Sequence, residues 1–133
     1  MIARRTGQIA LMSSIAGFIP LPDAPSYGAS KAAVLQYGLA LRTALRGSGV
    51  KLSVICPGFV TTPMTAREVG WKPLEMSAER AAMIISRGLE GNKALITFPR
   101  LFGFATWVGG LLPEQLRNIT QKAFRFKIDH AEK

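Results

Sequence analysis

Cysteine and histidine are almost missing from this chain: Cys56 and His130 are the single examples in 133 residues. One thiol cannot form an intrachain disulfide, so a reducing, cytoplasmic setting is expected, with Cys56 a small buried hydrophobe closing an apolar run. One imidazole excludes a histidine-based triad and a two-histidine metal site, and His130 reads as a solvated tail residue. Glu68, Glu75 and Glu79 have no partner at a spacing that suggests metal binding or glycosidase chemistry. Acidic residues are also scarce, 8 against 17 basic, for a net charge of +9. That balance favours an anionic partner. Arg4, Arg5, Arg42, Arg46, Lys51, Arg67, Lys72, Arg80 and Arg87 are nevertheless scattered in ones and twos without an aromatic ladder, so nucleic acid is not expected as a partner. No apolar run approaches the roughly 20 residues that span a bilayer, and the N-terminus lacks the apolar core of a secretory signal. Also absent is a glycine-rich turn between a strand and a helix, the device that receives a dinucleotide pyrophosphate.

What is present is enough apolar material, 48% of residues, for one folded domain. Gln8 to Met12 is a short apolar run between a glycine and paired serines, the pattern of a parallel strand covered on both faces. Phe18 to Pro25, with prolines at 20, 22 and 25, reads as a stiff loop. A helix is predicted from Ser26 to Arg46, with Val34, Tyr37, Gly38, Leu41 and Leu45 on one face, broadened by Leu35 and Leu39, and stopped by Gly47-Ser48-Gly49. Ala29, Ala32, Ala33, Gly38, Ala40 and Ala44 would let another helix approach closely. Val50 to Cys56 is the next strand, giving a right-handed crossover.

Thr61 to Pro73, with Met64 and Trp71, reads as a loop. Ser77 caps a helix running to Gly91, and Ala94 to Phe98 is a third strand. Leu101, Phe102, Phe104, Trp107, Val108, Leu111 and Leu112 form a strongly apolar segment. A last amphipathic helix is predicted from Pro113 to about Ile128, its stripe read as packed in protein, with an anionic membrane surface as the alternative.

Tyr27-Gly28-Ala29-Ser30-Lys31 carries the chemistry. A phenol and an ammonium four residues apart share one helix face. A free phenol titrates near 10, too high to shuttle protons at neutral pH, and a neighbouring cation favours the phenolate. Ser13 and Ser14 end the first strand, the edge of an open α/β sheet where ligands bind, and strand alternation points their side chains opposite ways. Ile55-Cys56-Pro57-Gly58-Phe59-Val60-Thr61-Thr62 closes the second strand with a Pro-Gly turn. Taken singly, each of these residues suits an ordinary core edge, solvated surface or turn.

In this order and spacing, Ser13-Ser14-Ile15-Ala16-Gly17, Tyr27-x-x-x-Lys31 and Pro57-Gly58-x-x-x-Thr62 resemble the catalytic half of the short-chain dehydrogenase/reductase family. The resemblance implies an α/β fold: part of a doubly wound, Rossmann-like parallel sheet of about three strands with flanking helices, the N-terminal cofactor-binding half being missing. It implies a single partial domain, with a catalytic strand-helix-strand segment over 1–64, a substrate loop, helix and last strand over 65–98, and an apolar segment and amphipathic helix over 99–133. The implied activity is interconversion of a secondary alcohol and a ketone with NAD or NADP as hydride carrier, and the substrate a small hydrophobic alcohol or ketone. Tyr27 would be the acid/base, Lys31 would bind the nicotinamide ribose and favour the phenolate, and Ser14, selected over Ser13 by its spacing to the tyrosine, would hold the substrate oxygen. Pro57, Gly58, Val60 and Thr62 would cradle the carboxamide, Val60 through its backbone and Thr62 through its hydroxyl. No metal is implied, and a homo-oligomer is, through the Tyr27 helix. The alternative function is a truncated, non-catalytic remnant serving as a dimerisation, interaction or membrane-surface module.

Overall fold

The computed structural model describes residues 1–62, 68–69, 72, 74–116 and 127–128. Three strands, β1 (Gly7–Met12), β2 (Val50–Pro57) and β4 (Leu95–Phe98), form a parallel sheet in the order β1-β2-β4. Ile9 lies beside Leu52 and Leu11 beside Val54 in one register, and Ile55 beside Ile96 in the other. β2 sits in the middle, so it carries the longest run of apolar residues and is the most deeply covered. The sheet is open, and helices lie on both faces.

On one face α1 (Pro25–Ala44) covers β1 and β2, with Leu35, Leu52, Val54 and Cys56 at the centre of the core. On the other, α2 (Ala78–Glu90) packs Ala81, Ile84 and Ile85 against Ile55, Ile96 and Phe98. α3 (Arg100–Leu111) follows β4 directly. Each of these helices starts as its sequence dictates. Pro25 at the first turn of α1 needs no partner for a missing N–H, and the Ser77 hydroxyl accepts from the Arg80 amide to cap α2. α1 stops two residues before the expected Arg46, where Gly47 takes a φ of +79° that side chains resist.

The buried face of α1 is turned by about one residue from the expected one. Leu35 and Gly38 face the sheet and Gly28 faces Ala16 and Leu21, whereas Tyr37, placed on the core face by its spacing, is 64% exposed. Gly38 decides the rotation. A Cβ there would run into Val54 Cγ2, so this small residue serves the approach of helix to sheet, not of helix to helix.

The apolar segment after Pro99 is the helix α3, and a further correction concerns the later part of the chain. Lys127–Ile128, expected as the end of the last helix, forms strand β5, antiparallel to β3 (Glu68–Val69) inside the expected loop, so a small two-stranded sheet adds to the three expected strands. The backbone reason is that two short segments distant in sequence satisfy each other's amides, which periodicity within either one does not signal. Met64, Trp71 and most of the 113–128 helix lie outside the described residues. No helix among the described residues is long and apolar enough to cross a membrane.

Candidate active site

The carboxyl edge of the sheet gathers the first three of the singled-out residues. β1 continues past Met12 through the Ser13 amide, which donates to Ile55 O at 2.8 Å. Ser13 is buried, and its hydroxyl donates to the Lys31 carbonyl at 2.7 Å. Ser14 turns the other way and becomes the cap of a single 3-10 turn over Ile15–Gly17, its Oγ accepting from the Ala16 amide at 3.1 Å. The Ser14 hydroxyl reaches Pro57 O only at 3.4 Å, a long contact. The two serines thus part as strand alternation requires.

Lys31 comes back to this edge from the second turn of α1. Its Nζ donates to Met12 O at 3.3 Å and stands 5.7 Å from the centroid of the Tyr27 ring. Tyr27, in the first turn of the same helix, is 44% exposed and opens toward solvent at the sheet edge. The close seating of the 3-10 turn on α1 depends on Gly17, because a Cβ there would lie 2.9 Å from the Lys31 carbonyl carbon. Sequence reasoning missed Ser13 and Gly17 as the residues that seat the lysine. Spacing alone could not show it, since their partner is 18 positions from Ser13.

The second strand ends in the Pro-Gly turn. The Gly58 amide donates to Phe98 O at 2.7 Å, which ties this turn to the end of β4. Val60 forms a parallel bridge with Met76, made by Thr61 N donating to Met76 O and Met76 N donating to Phe59 O. In such a bridge the amide and carbonyl of Val60 itself point to the opposite side. Thr61 donates to Glu75 at 3.3 Å. Pro57, Gly58, Val60 and Thr62 therefore lie on one connected turn beside Ser14, held from behind by β4 and by Met76. Beneath them burial pushes the Cys56 thiol up to about 11, partly offset by hydrogen bonding from Ser13 and the Ser14 backbone. No cluster of three or more metal-ligating side chains occurs among the described residues.

Known proteins match this chain in the same terms. An uncharacterized oxidoreductase of Myxococcus xanthus is 32% identical over 125 residues, covering 94% of this chain and 49% of the relative. The 15-hydroxyprostaglandin dehydrogenase [NAD(+)] of Mus musculus is 47% identical over 60 residues, covering 44% of this chain and 22% of that protein. A short chain dehydrogenase from Burkholderia cenocepacia, solved in complex with NADP, superposes with a TM-score of 0.72 at 24% identity, covering 87% of this chain and 47% of the other. The chain spans about half the length of the Myxococcus xanthus relative and of the Burkholderia cenocepacia structure. The family model described as short chain dehydrogenase matches residues 1–73, which include both serines, the Tyr27 and Lys31 pair and the Pro-Gly turn, and the chain belongs to that family.

Proposed function

We propose that this chain carries the proton-transfer end of an NAD(P)-dependent oxidoreductase that interconverts a secondary alcohol and a ketone. The observation that carries the proposal is the seating of Lys31, its ammonium fixed on Met12 O beside the Tyr27 ring at the carboxyl edge of the sheet. Interconversion moves a hydride and a proton, and the nicotinamide supplies the hydride carrier when bound. Tyr27 gives the proton to the developing alkoxide or takes it from the alcohol. The Lys31 ammonium has three N–H donors, one of them spent on Met12 O, so two can hold ribose hydroxyls. Ser14 can turn its hydroxyl from the long Pro57 contact to a substrate oxygen at little cost.

The donor set also fits the nicotinamide end of a dinucleotide. Val60 presents its amide and carbonyl away from the Met76 bridge, and Pro57, Gly58 and Thr62 stand on the same turn. A small hydrophobic alcohol or ketone is the favoured substrate class. The exposed Ala29, Ala33 and Ala40 on the outward face of α1 support a homo-oligomer formed through that helix.

A chimera joining this chain to the remaining part of the Myxococcus xanthus relative provides the test. Tyr27→Phe keeps the ring and removes the transferable proton, so turnover should fall about 100-fold or more with cofactor affinity nearly unchanged. Lys31→Ala should lower both turnover and cofactor affinity. Near wild-type turnover in both variants would refute the assignment.

A further inference from the structure

We propose that the outward face of α3 is a docking surface for an anionic lipid bilayer. The helix is inverted relative to the usual surface helix, which buries its large apolar stripe and shows a polar one. Its inward residues are Gly103, Thr106 and Gly109, all buried. That face admits nothing larger: a Cβ at Gly103 would meet Thr97 Cγ2, and one at Gly110 would meet the Phe18 carbonyl. Thr106 turns its hydroxyl back on its own helix, donating to Gly103 O at 2.9 Å. Of the large apolar side chains only Phe102 packs against the core, and Leu101, Phe104, Trp107 and Leu111 are turned outward.

Leu101, Phe104, Trp107 and Leu111 recur at helical spacing and are 79%, 62%, 50% and 68% exposed. Val108 widens the stripe, and no charged residue interrupts the sequence from Leu101 to Leu112.

Charge selects the occupant. Leu101, Phe104 and Trp107 form one wall of an open groove of about 1100 Å³ beside β4, and Arg80, Arg87, Lys93 and Arg100 line the same groove. No aspartate or glutamate among the described residues lines it. An apolar stripe with aromatic side chains, flanked by cations, matches the boundary between acyl chains and anionic headgroups, where nearby Lys and Arg side chains are attracted to the surface. A second copy related by a two-fold axis would bring the four cations toward their own equivalents, with no acid among the described lining residues to offset them. A small molecule held in the groove would leave Leu111 and Val108, which lie outside its lining, in water.

The test uses the chain itself in a Trp71→Phe background, so that Trp107 is the one fluorophore of its kind. It is titrated with vesicles of phosphatidylcholine alone and of phosphatidylcholine mixed with phosphatidylglycerol. The expected result is a blue shift of Trp107 emission on the anionic vesicles, with partitioning about tenfold or more stronger than on the neutral ones. Phe104→Glu and, separately, Leu111→Glu should each weaken that partitioning about tenfold or more, circular dichroism showing that the fold is kept. Arg80→Gln with Arg87→Gln should remove most of the preference for anionic lipid. The proposal is overturned if Trp107 does not shift on anionic vesicles or if both glutamate variants bind as well as the parent. It is equally overturned if sedimentation without lipid shows a dimer that the same variants dissolve, since a second copy would then be the occupant.

Discussion

The stability of this chain should fall steeply in mild alkali because of one side chain, Cys56. It lies in the central strand with no exposed surface, and burial raises its thiol from 9.0 to about 11. A group whose folded value lies above its unfolded one contributes stability that is complete below the unfolded value. Below about pH 9 the thiol is neutral in both states and costs nothing. Above that, the unfolded chain gains by ionising while the folded chain does not, until the pH reaches the folded value. With a gap of about 2 units at roughly 1.4 kcal/mol each, the loss is about 1.4 kcal/mol at pH 10 and about 2 kcal/mol at pH 11.

The measurement is a difference, so that whatever else alkali changes in the protein cancels. Urea unfolding of the parent and of Cys56→Ala is compared from about pH 8 to about pH 11. Alanine costs a fixed amount for the lost sulfur at every pH, whereas the alkaline loss belongs to the parent alone. The gap between the two curves should therefore close by about 2 kcal/mol across that range. Parallel curves would refute the reasoning and would mean that the thiol ionises in the folded state as easily as in the unfolded one.

Other expectations follow from single contacts. Phe98→Ala should cost about 3–5 kcal/mol in chemical denaturation, because Phe98 is among the largest fully buried side chains and the α2 core cannot collapse onto the gap. Ser77→Ala should cost about 1 kcal/mol by the same assay, since it removes the cap on the Arg80 amide, while Ser77→Asp should keep most of that contribution. Ser13→Ala should cost about 1 kcal/mol for its buried bond to the Lys31 carbonyl. Faster amide exchange confined to the first turns of α1 would be its local signature, and a uniform change across the protein would count against the seating role.

Much of the fold was legible in sequence because it depends on near neighbours. The segment Val50 to Ile55, with β-branched Val50, Val54 and Ile55, the serine three residues ahead of Arg80 and the proline at the head of α1 each act within a turn or a strand, so composition and spacing suffice to place β2, α2 and α1. The Tyr27 and Lys31 pairing is legible for the same reason, as helical geometry alone puts the two residues on one face. Which face of a helix meets the sheet is a different matter. Tyr37 and Leu35 are both large and apolar enough to serve, and the choice fell to Gly38, whose missing Cβ admits Val54.

The sequence by itself determined the order β1, α1, β2, α2 and β4, the parting of Ser13 from Ser14 and the placing of Tyr27 and Lys31 on one helix face, since these follow from local backbone periodicity. Only the tertiary structure decided that Ser13 holds the Lys31 backbone, that Lys127–Ile128 pairs with Glu68–Val69 and that α3 turns its aromatics outward. Those outcomes depend on steric exclusion and hydrogen bonding between segments far apart in the chain, and the glycines that permit close approach look, in sequence, like any other glycine.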